Sequence, residues 1–221
     1  MALKALGRPK DLEKREAILD AAAQLFAVRG VEGVPIEAIA AAAGVSKVTV
    51  YASFKDKGAL LKAIVLRETG RLKQMLDEIS ASDGPLDERL VRIGDVLLGA
   101  LNDPRHVAMD RCMSVAAVQH PDLGRQFFDS GPGHLREVIA DMLAVEMSAG
   151  RLTQSDPHVA AEDLLGLWFG FRAVEKRFMC SEPWSADKLS AHIRRSVWLF
   201  LRAYMPGGDD QNKSGLATIN Q

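Results

Sequence analysis

The stretch Ile36–Phe54, reading IEAIAAAAGVSKVTVYASF, limits the possible fold more than any other part of the chain. Ile36, Ile39, Ala40 and Ala43 recur at i, i+3, i+4 and i+7, which lays one apolar stripe along a short helix. Gly44 ends that helix, because a glycine just past the last helical residue takes the left-handed conformation without a Cβ clash. Ser46 then supplies an N-cap oxygen for the backbone N–H groups two or three residues on, so a second helix starts at about Lys47. Val50 and Phe54 anchor it inward and leave Lys47, Val48, Thr49, Tyr51 and Ser53 on its outer sides. Two short helices joined by a glycine turn have the layout of a helix-turn-helix, whose second helix offers its N-terminal end to a DNA major groove.

The rest of the chain carries the same helical signal. No run alternates Val, Ile and Thr and no hairpin turn occurs, so the predicted fold class is all-α: an N-terminal three-helix helix-turn-helix domain followed by a C-terminal helical bundle. Asp11 is expected to cap a first helix that buries Ile18, Ala22, Leu25 and Phe26 and stops at Gly30. Asp56 and Lys57 open a longer helix striped by Leu61, Ile64, Val65, Leu72, Leu76 and Ile79, up to the breaker Ser82-Asp83-Gly84-Pro85. Further helices are predicted from Leu86 to Leu101, from about Arg105 to His120, from Asp122 to Asp129, and on to Ser148 before Gly150. Asp156-Pro157 pairs a cap with a first-turn proline and starts a long helix through Phe171 towards Cys180. The last helix starts at Ser185-Ala186-Asp187 and ends before Pro206. The domain division that follows is 1–57 for the DNA-binding head with a basic arm at 1–10, 58–206 for the C-terminal bundle, and 207–221 for a polar tail expected to be disordered.

Bulk properties exclude several classes. With 48% hydrophobic and 26% charged residues among 221, the chain is an ordinary globular protein with room for a sizeable core. Residues 1–57 hold nine Lys/Arg against seven Asp/Glu, a charge of +2 that leaves −3 for the remainder, a tilt favouring DNA at the N-terminal end. Cys112 and Cys180 show no CxxC spacing and no signal peptide precedes them, which implies reduced thiols and a cytoplasmic protein. The apolar stretch Leu164–Phe171 is far shorter than the ~20 residues a bilayer requires, so no membrane partner is expected. His106 and Asp110 share a helix face at i, i+4, but two residues do not close a metal site. No phosphate loop, dinucleotide fingerprint, HExxH or nucleophile elbow occurs, so neither enzyme, metal nor cofactor is expected.

The run AGVSKVTVYASFKDKGALL (Ala43–Leu61) resembles the recognition helix and following helix of TetR-family transcriptional regulators, and ILDAAAQLFAVRGVEGV (Ile18–Val34), with its Ala-x-x-Leu-Phe and terminal glycine, resembles their first helix. Pro35 departs from the pattern, standing where the family places a capping Thr. More loosely, Arg111–Gly170 is similar to the C-terminal regulatory domain of AefR-like members of the same family. The resemblance implies double-stranded operator DNA, a small-molecule effector and a homodimer as partners, with repression as the usual role. An activator of the same fold is the alternative; a helical metal-sensing protein or enzyme with an incidental helix-turn-helix is the remoter one.

On this reading Lys47 meets a guanine edge or a phosphate, Val48 and Thr49 meet thymine methyls, Tyr51, Ser53 and Lys57 meet phosphates with Thr49 able to add another, and Arg8, in the basic run Gly7-Arg8-Pro9-Lys10, lies along a minor groove. Met109, Met113, Phe127, Phe128, Trp168 and Phe171 are the expected lining of an apolar pocket, together with Met142, with Arg172 and also Arg111, His120 and Glu175 available to orient a ligand. Apolar cover around the last two long helices predicts a dimer interface built from Leu164, Leu167, Ile193, Val197, Phe200 and Tyr204.

Overall fold

The computed structural model describes residues 9–206 apart from 179 and 181, the side chains of residues 9, 105, 119 and 177 excepted. The arm residue Arg8 and the tail 207–221 lie outside the described residues. Eleven helices are present among them, and no strand. In order they are α1 (Pro9–Arg29), α2 (Ile36–Ala42), α3 (Lys47–Ser53), α4 (Lys57–Ser80), α5 (Leu86–Asn102), α6 (Pro104–Gln119), α7 (Pro121–Ser130), α8 (Pro132–Ser148), α9 (Pro157–Phe169), α10 (Arg172–Arg177) and α11 (Ala186–Tyr204).

Local chemistry sets most of these boundaries. Helices α6 to α9 each open on a proline, whose fixed φ suits the first turn and whose missing N–H is not needed there. Asp56 caps α4 by accepting from the Ala59 N–H at 2.7 Å, Asp156 caps α9 by accepting from His158 and Val159, and Ser185 caps α11 by accepting from Lys188. Helix α1 begins two residues before Asp11, so that carboxylate sits in the first turn, against the positive end of the helix, rather than at the cap. The expected long helix through Phe171 is broken: Gly170, at φ +46°, ends α9 after Phe169, and the chain restarts as the six-residue α10.

The helices form two compact units. The first holds α1 to α3, α4 as far as Arg71, and Pro104–Ser130, which is α6 and α7. Its apolar centre joins Ile18, Phe26, Ile39, Val50, Leu60 and Ile64 to Met113 and Leu123. Two polar links reinforce it: the Cys112 thiol donates to the Phe26 carbonyl at 3.1 Å, and the Ser130 hydroxyl donates to Thr69 on α4 at 3.1 Å. The second holds Leu72–Asp103 with α8 to α11, where α9 packs on α8 and α11 packs on both α5 and α9. Its centre includes Leu76, Leu90, Ile93, Ile139, Leu143, Leu164, Trp168, Ile193 and Phe200. The Tyr204 phenol donates to the Asp163 carboxylate at 2.6 Å, pinning α11 to α9, and burial together with that carboxylate pushes the phenol up to about 12.

Candidate nucleic-acid interface

The turn between α2 and α3 is made by two residues. Gly44 stands at φ +66°, and the Ser46 hydroxyl accepts from the Thr49 backbone N–H at 3.1 Å while meeting the Thr49 hydroxyl at 2.8 Å. Gly44→Ala is therefore expected to cost about 1–2 kcal/mol through left-handed strain. Ser46→Ala is expected to cost about 0.5–2 kcal/mol through the lost cap, with urea unfolding as the check on both. Helix α2 starts without a side-chain cap, since Pro35, at φ −73° and ψ 149°, offers only its carbonyl.

Seating α3 on Val50 and Phe54, both buried, turns the other residues outward. Val48 is 77% and Tyr51 48% exposed, Lys47 is exposed, and Thr49 and Ser53 are half-buried. An apolar side chain left that open on a short helix gains nothing from folding, and it is suited to meeting a thymine methyl. Lys47 is not free in solution. Its ammonium pairs with the Glu37 carboxylate of α2 at 2.5 Å and lies 5.8 Å from the centre of the Tyr51 ring. The hydrogen bond from Lys47 holds the Glu37 carboxyl below the usual carboxylate range, and Glu37 correspondingly raises Lys47.

Helix α1 braces this head from behind. Arg15 lies over the Phe54 ring at 4.4 Å and donates to the Ser53 carbonyl at 3.4 Å, closing the C-terminal end of α3. On α4, Arg67 meets Glu16 at 3.0 Å and Asp20 at 2.8 Å on α1, and Glu68 at 2.9 Å. Lys57 sits differently from its sequence assignment. Its Nζ donates to the carbonyls of Val31 at 3.2 Å and Glu32 at 3.0 Å, with the Glu32 carboxylate at 3.7 Å, so it ties the α1–α2 turn to the start of α4. Sequence alone does not single out Glu37, Arg15 or Arg67; the opposite charges of Glu37 and Lys47 on the two helices of the motif are the signal that could have found the first pair.

The expected pocket residues divide between the units. Met113 is buried in the first unit, with Met109 and Phe127 packed against the same cluster, whereas Phe128 on α7 is exposed. Trp168, 1% exposed, and Met142 belong to the core of the second unit, and Phe171 is 76% exposed beside the break at Gly170. Arg172 donates to the Glu182 carbonyl at 2.8 Å and stacks over Trp184 at 4.2 Å, so it closes a loop. Glu175 is half-buried on α10. Arg111 and His120 line a cleft of the first unit, with neither Met109 nor Met113 in its walls.

The expected dimer residues require a correction as well. Leu164, Ile193, Val197 and Phe200 are interior to their own chain, at 2% exposure or less, and cannot touch a second copy directly. Their helical spacing identifies a buried stripe, and that stripe packs on α5, α8 and the facing helix of the pair. Leu167 is exposed and Tyr204 half-buried. The described residues contain no group of three or more His, Cys, Asp or Glu that could hold a metal, and no helix long and apolar enough to cross a membrane.

Known proteins share this arrangement. The model for bacterial regulatory proteins of the tetR family matches residues 18–64, spanning the motif just described, and the model for the AefR-like transcriptional repressor C-terminal domain matches residues 88–206. The HTH-type transcriptional repressor KstR of Mycolicibacterium smegmatis is 29% identical over 161 residues, covering 70% of this chain and 73% of its own. The repressor BepR of Brucella suis is 24% identical over 196 residues, covering 88% and 82%. A solved TetR-family regulator structure from Mesorhizobium loti MAFF303099 superposes with a TM-score of 0.79 at 26% identity, covering 90% of this chain and all of that one. With a capped reading helix, two matched segments that span most of its length, and relatives that are regulators rather than enzymes, the chain belongs to the TetR family of transcriptional regulators and carries an AefR-like C-terminal domain.

Proposed function

We propose that the protein is a dimeric repressor, acting in the cytoplasm on the nucleoid, that binds a palindromic operator through α3 and leaves it when a small apolar effector binds. The observation that carries this reading is the Ser46-capped helix α3, which keeps Val48 and Tyr51 exposed beside Lys47 on a head braced by α1. Base edges are met by Lys47, Val48 and Thr49, and phosphates by Tyr51 and Ser53. Lys57 orients the head and reaches a phosphate only with the proton it does not give to Val31 and Glu32. Two relatives, KstR and BepR, are named as repressors, which supports repression over activation.

Residues 1–57 form the reading head in this account, and residues 58–206 form the part that senses and dimerises. Dimerisation uses the exposed apolar side chains of the second unit, Leu167 and Trp198 among them, in place of the four residues that its core consumes. Helix α4 runs unbroken from Lys57 to Ser80 and contributes to both units, which makes it the proposed route by which effector binding alters DNA affinity. A coupling of about 1–3 kcal/mol along it changes affinity some 5–150-fold.

Fluorescence anisotropy with operator DNA, selected from a random library, tests the reading: sequence-specific binding that weakens steeply with salt is expected, and binding indifferent to sequence overturns it. The same assay reads out Glu37. A carboxylate beside Lys47 competes with DNA for its ammonium, so Glu37→Gln is expected to raise affinity for all sequences several-fold and steepen the slope of log K against log salt by about 0.9. An unchanged slope would show that Lys47 does not reach the phosphates or bases.

A further inference from the structure

We propose that the cleft in the first unit, walled by the end of α1, the α1–α2 turn, the start of α4 and the α6–α7 corner, binds a small carboxylate with an apolar body. The cleft is open to solvent on one side and offers about 370 Å³, within the range of small-molecule sites. Its floor is apolar and comes from residues already buried, Leu61, Ala116 and Leu123, with Ala27, Val31, Ala108 and Val115 around them. Its rim is cationic.

Arg29 from the last turn of α1 and Arg111 from α6 both line it, and neither guanidinium has a hydrogen bond or ion pair to another side chain among the described residues. His120, at the corner before α7, adds a ring nitrogen. The single carboxylate on the rim, Glu32, already faces the Lys57 ammonium at 3.7 Å and leaves the two arginines uncompensated. Elsewhere in this unit Arg67 satisfies its guanidinium with three carboxylates, and Arg15 uses an aromatic face and a carbonyl. Two arginines without side-chain partners in an otherwise mainly apolar lining match an anionic head on a hydrocarbon or aromatic body, because the planar guanidinium fork pairs with a carboxylate in two parallel hydrogen bonds. A neutral or cationic molecule of the same size uses the floor and gains nothing from the rim.

The wall also contains a reporter. Cys112 lines the cleft half-buried, and burial pushes its thiol up while Arg111 pulls it the other way, whereas Cys180 is exposed in the other unit. The experiment uses the full chain, titrated calorimetrically with sodium octanoate, with sodium benzoate and with octylamine as the charge-reversed control. Octanoate and benzoate are expected to saturate one site per chain and octylamine to bind at least about tenfold more weakly, as the loss of a charge-assisted hydrogen bond implies.

Arg111→Gln and Arg29→Gln, both surface changes, are each expected to weaken octanoate about tenfold, and Ala108→Phe is expected to abolish its binding by filling the space. Saturating octanoate is also expected to slow iodoacetamide labelling of Cys112 and leave Cys180 unchanged. Octylamine binding as tightly as octanoate, octanoate binding unaffected by Arg111→Gln, or unprotected Cys112 would each overturn the assignment, as would no binding of either acid at millimolar concentration. No arm of the test contains DNA, so its failure leaves the operator reading intact, and failure of the operator reading leaves the cleft standing.

Discussion

Trp168→Ala is expected to remove about 3–5 kcal/mol of unfolding free energy, the range for excising a buried aromatic side chain. Trp168 is the largest fully buried side chain of the chain, and its ring edge fills the space opposite Gly94, where an added Cβ would come within 3.2 Å of Cε2 and Cζ2. The same added Cβ would lie 2.6 Å from Ile193 Cγ2, so α5, α9 and α11 meet at this point with no slack to collapse into a cavity. The backbone role of the residue survives the change, because it is the Trp168 carbonyl that meets His192 Nε2 at 2.9 Å.

One detail separates packing from polarity. The indole Nε1 is buried and has no hydrogen-bond partner among the described residues, which costs stability in the native protein. Trp168→Phe removes that orphan donor along with some volume, and is expected to cost clearly less than the alanine change. Urea unfolding of both variants decides the matter: an alanine cost under about 1 kcal/mol would mean that the second unit is not organised around this ring.

The second large effect concerns function and leaves the fold alone. Lys47→Ala combined with Tyr51→Ala is expected to lower operator affinity by roughly 100-fold or more, with a shallower salt dependence, because it removes a cation and a phenol from the face that α3 presents. Alanine is the best helix former and both positions are exposed, so α3 keeps its Ser46 cap and its Val50 anchor. Circular dichroism and melting temperature are expected to match the parent protein, and anisotropy titrations measure the loss. A drop below threefold would remove α3 from the reading surface.

Punctuation was the most legible part of this fold. Gly30, Gly44 and Gly150 all stand at positive φ where the sequence predicts helix ends, and Ser46, Asp56, Asp156 and Ser185 all cap the helices that follow them. These signals are local, since the residue that makes the turn is the residue that is read. Gly170 escaped notice for the same reason reversed: inside the apolar run Leu164–Phe171, a helical glycine and a helix-ending glycine look identical until φ is known.

Partnership was less legible than position. Helical spacing puts Leu164, Ile193, Val197 and Phe200 on apolar stripes, expected from the sequence to face a second copy; periodicity reports that a face is covered and not by what, and here the covering is the chain's own core. Lys57 shows the same limit for charge. Its partners are backbone carbonyls at Val31 and Glu32, about 25 residues back, and no side-chain pattern announces a carbonyl. The methionine and phenylalanine positions predicted for a pocket were distributed between two separate apolar clusters, because their spacing is equally that of an ordinary core.

In the proposed dimer α3 reads DNA twice, once from each of two identical subunits. Hydroxyl-radical footprinting on an operator selected from a random library tests it most directly. Two inverted half-sites of the same sequence are expected, centred about 10–10.5 base pairs or a multiple apart, whose protection disappears with the Lys47→Ala, Tyr51→Ala pair. A single unrepeated patch of protection, or a footprint that the paired change leaves intact, would contradict it.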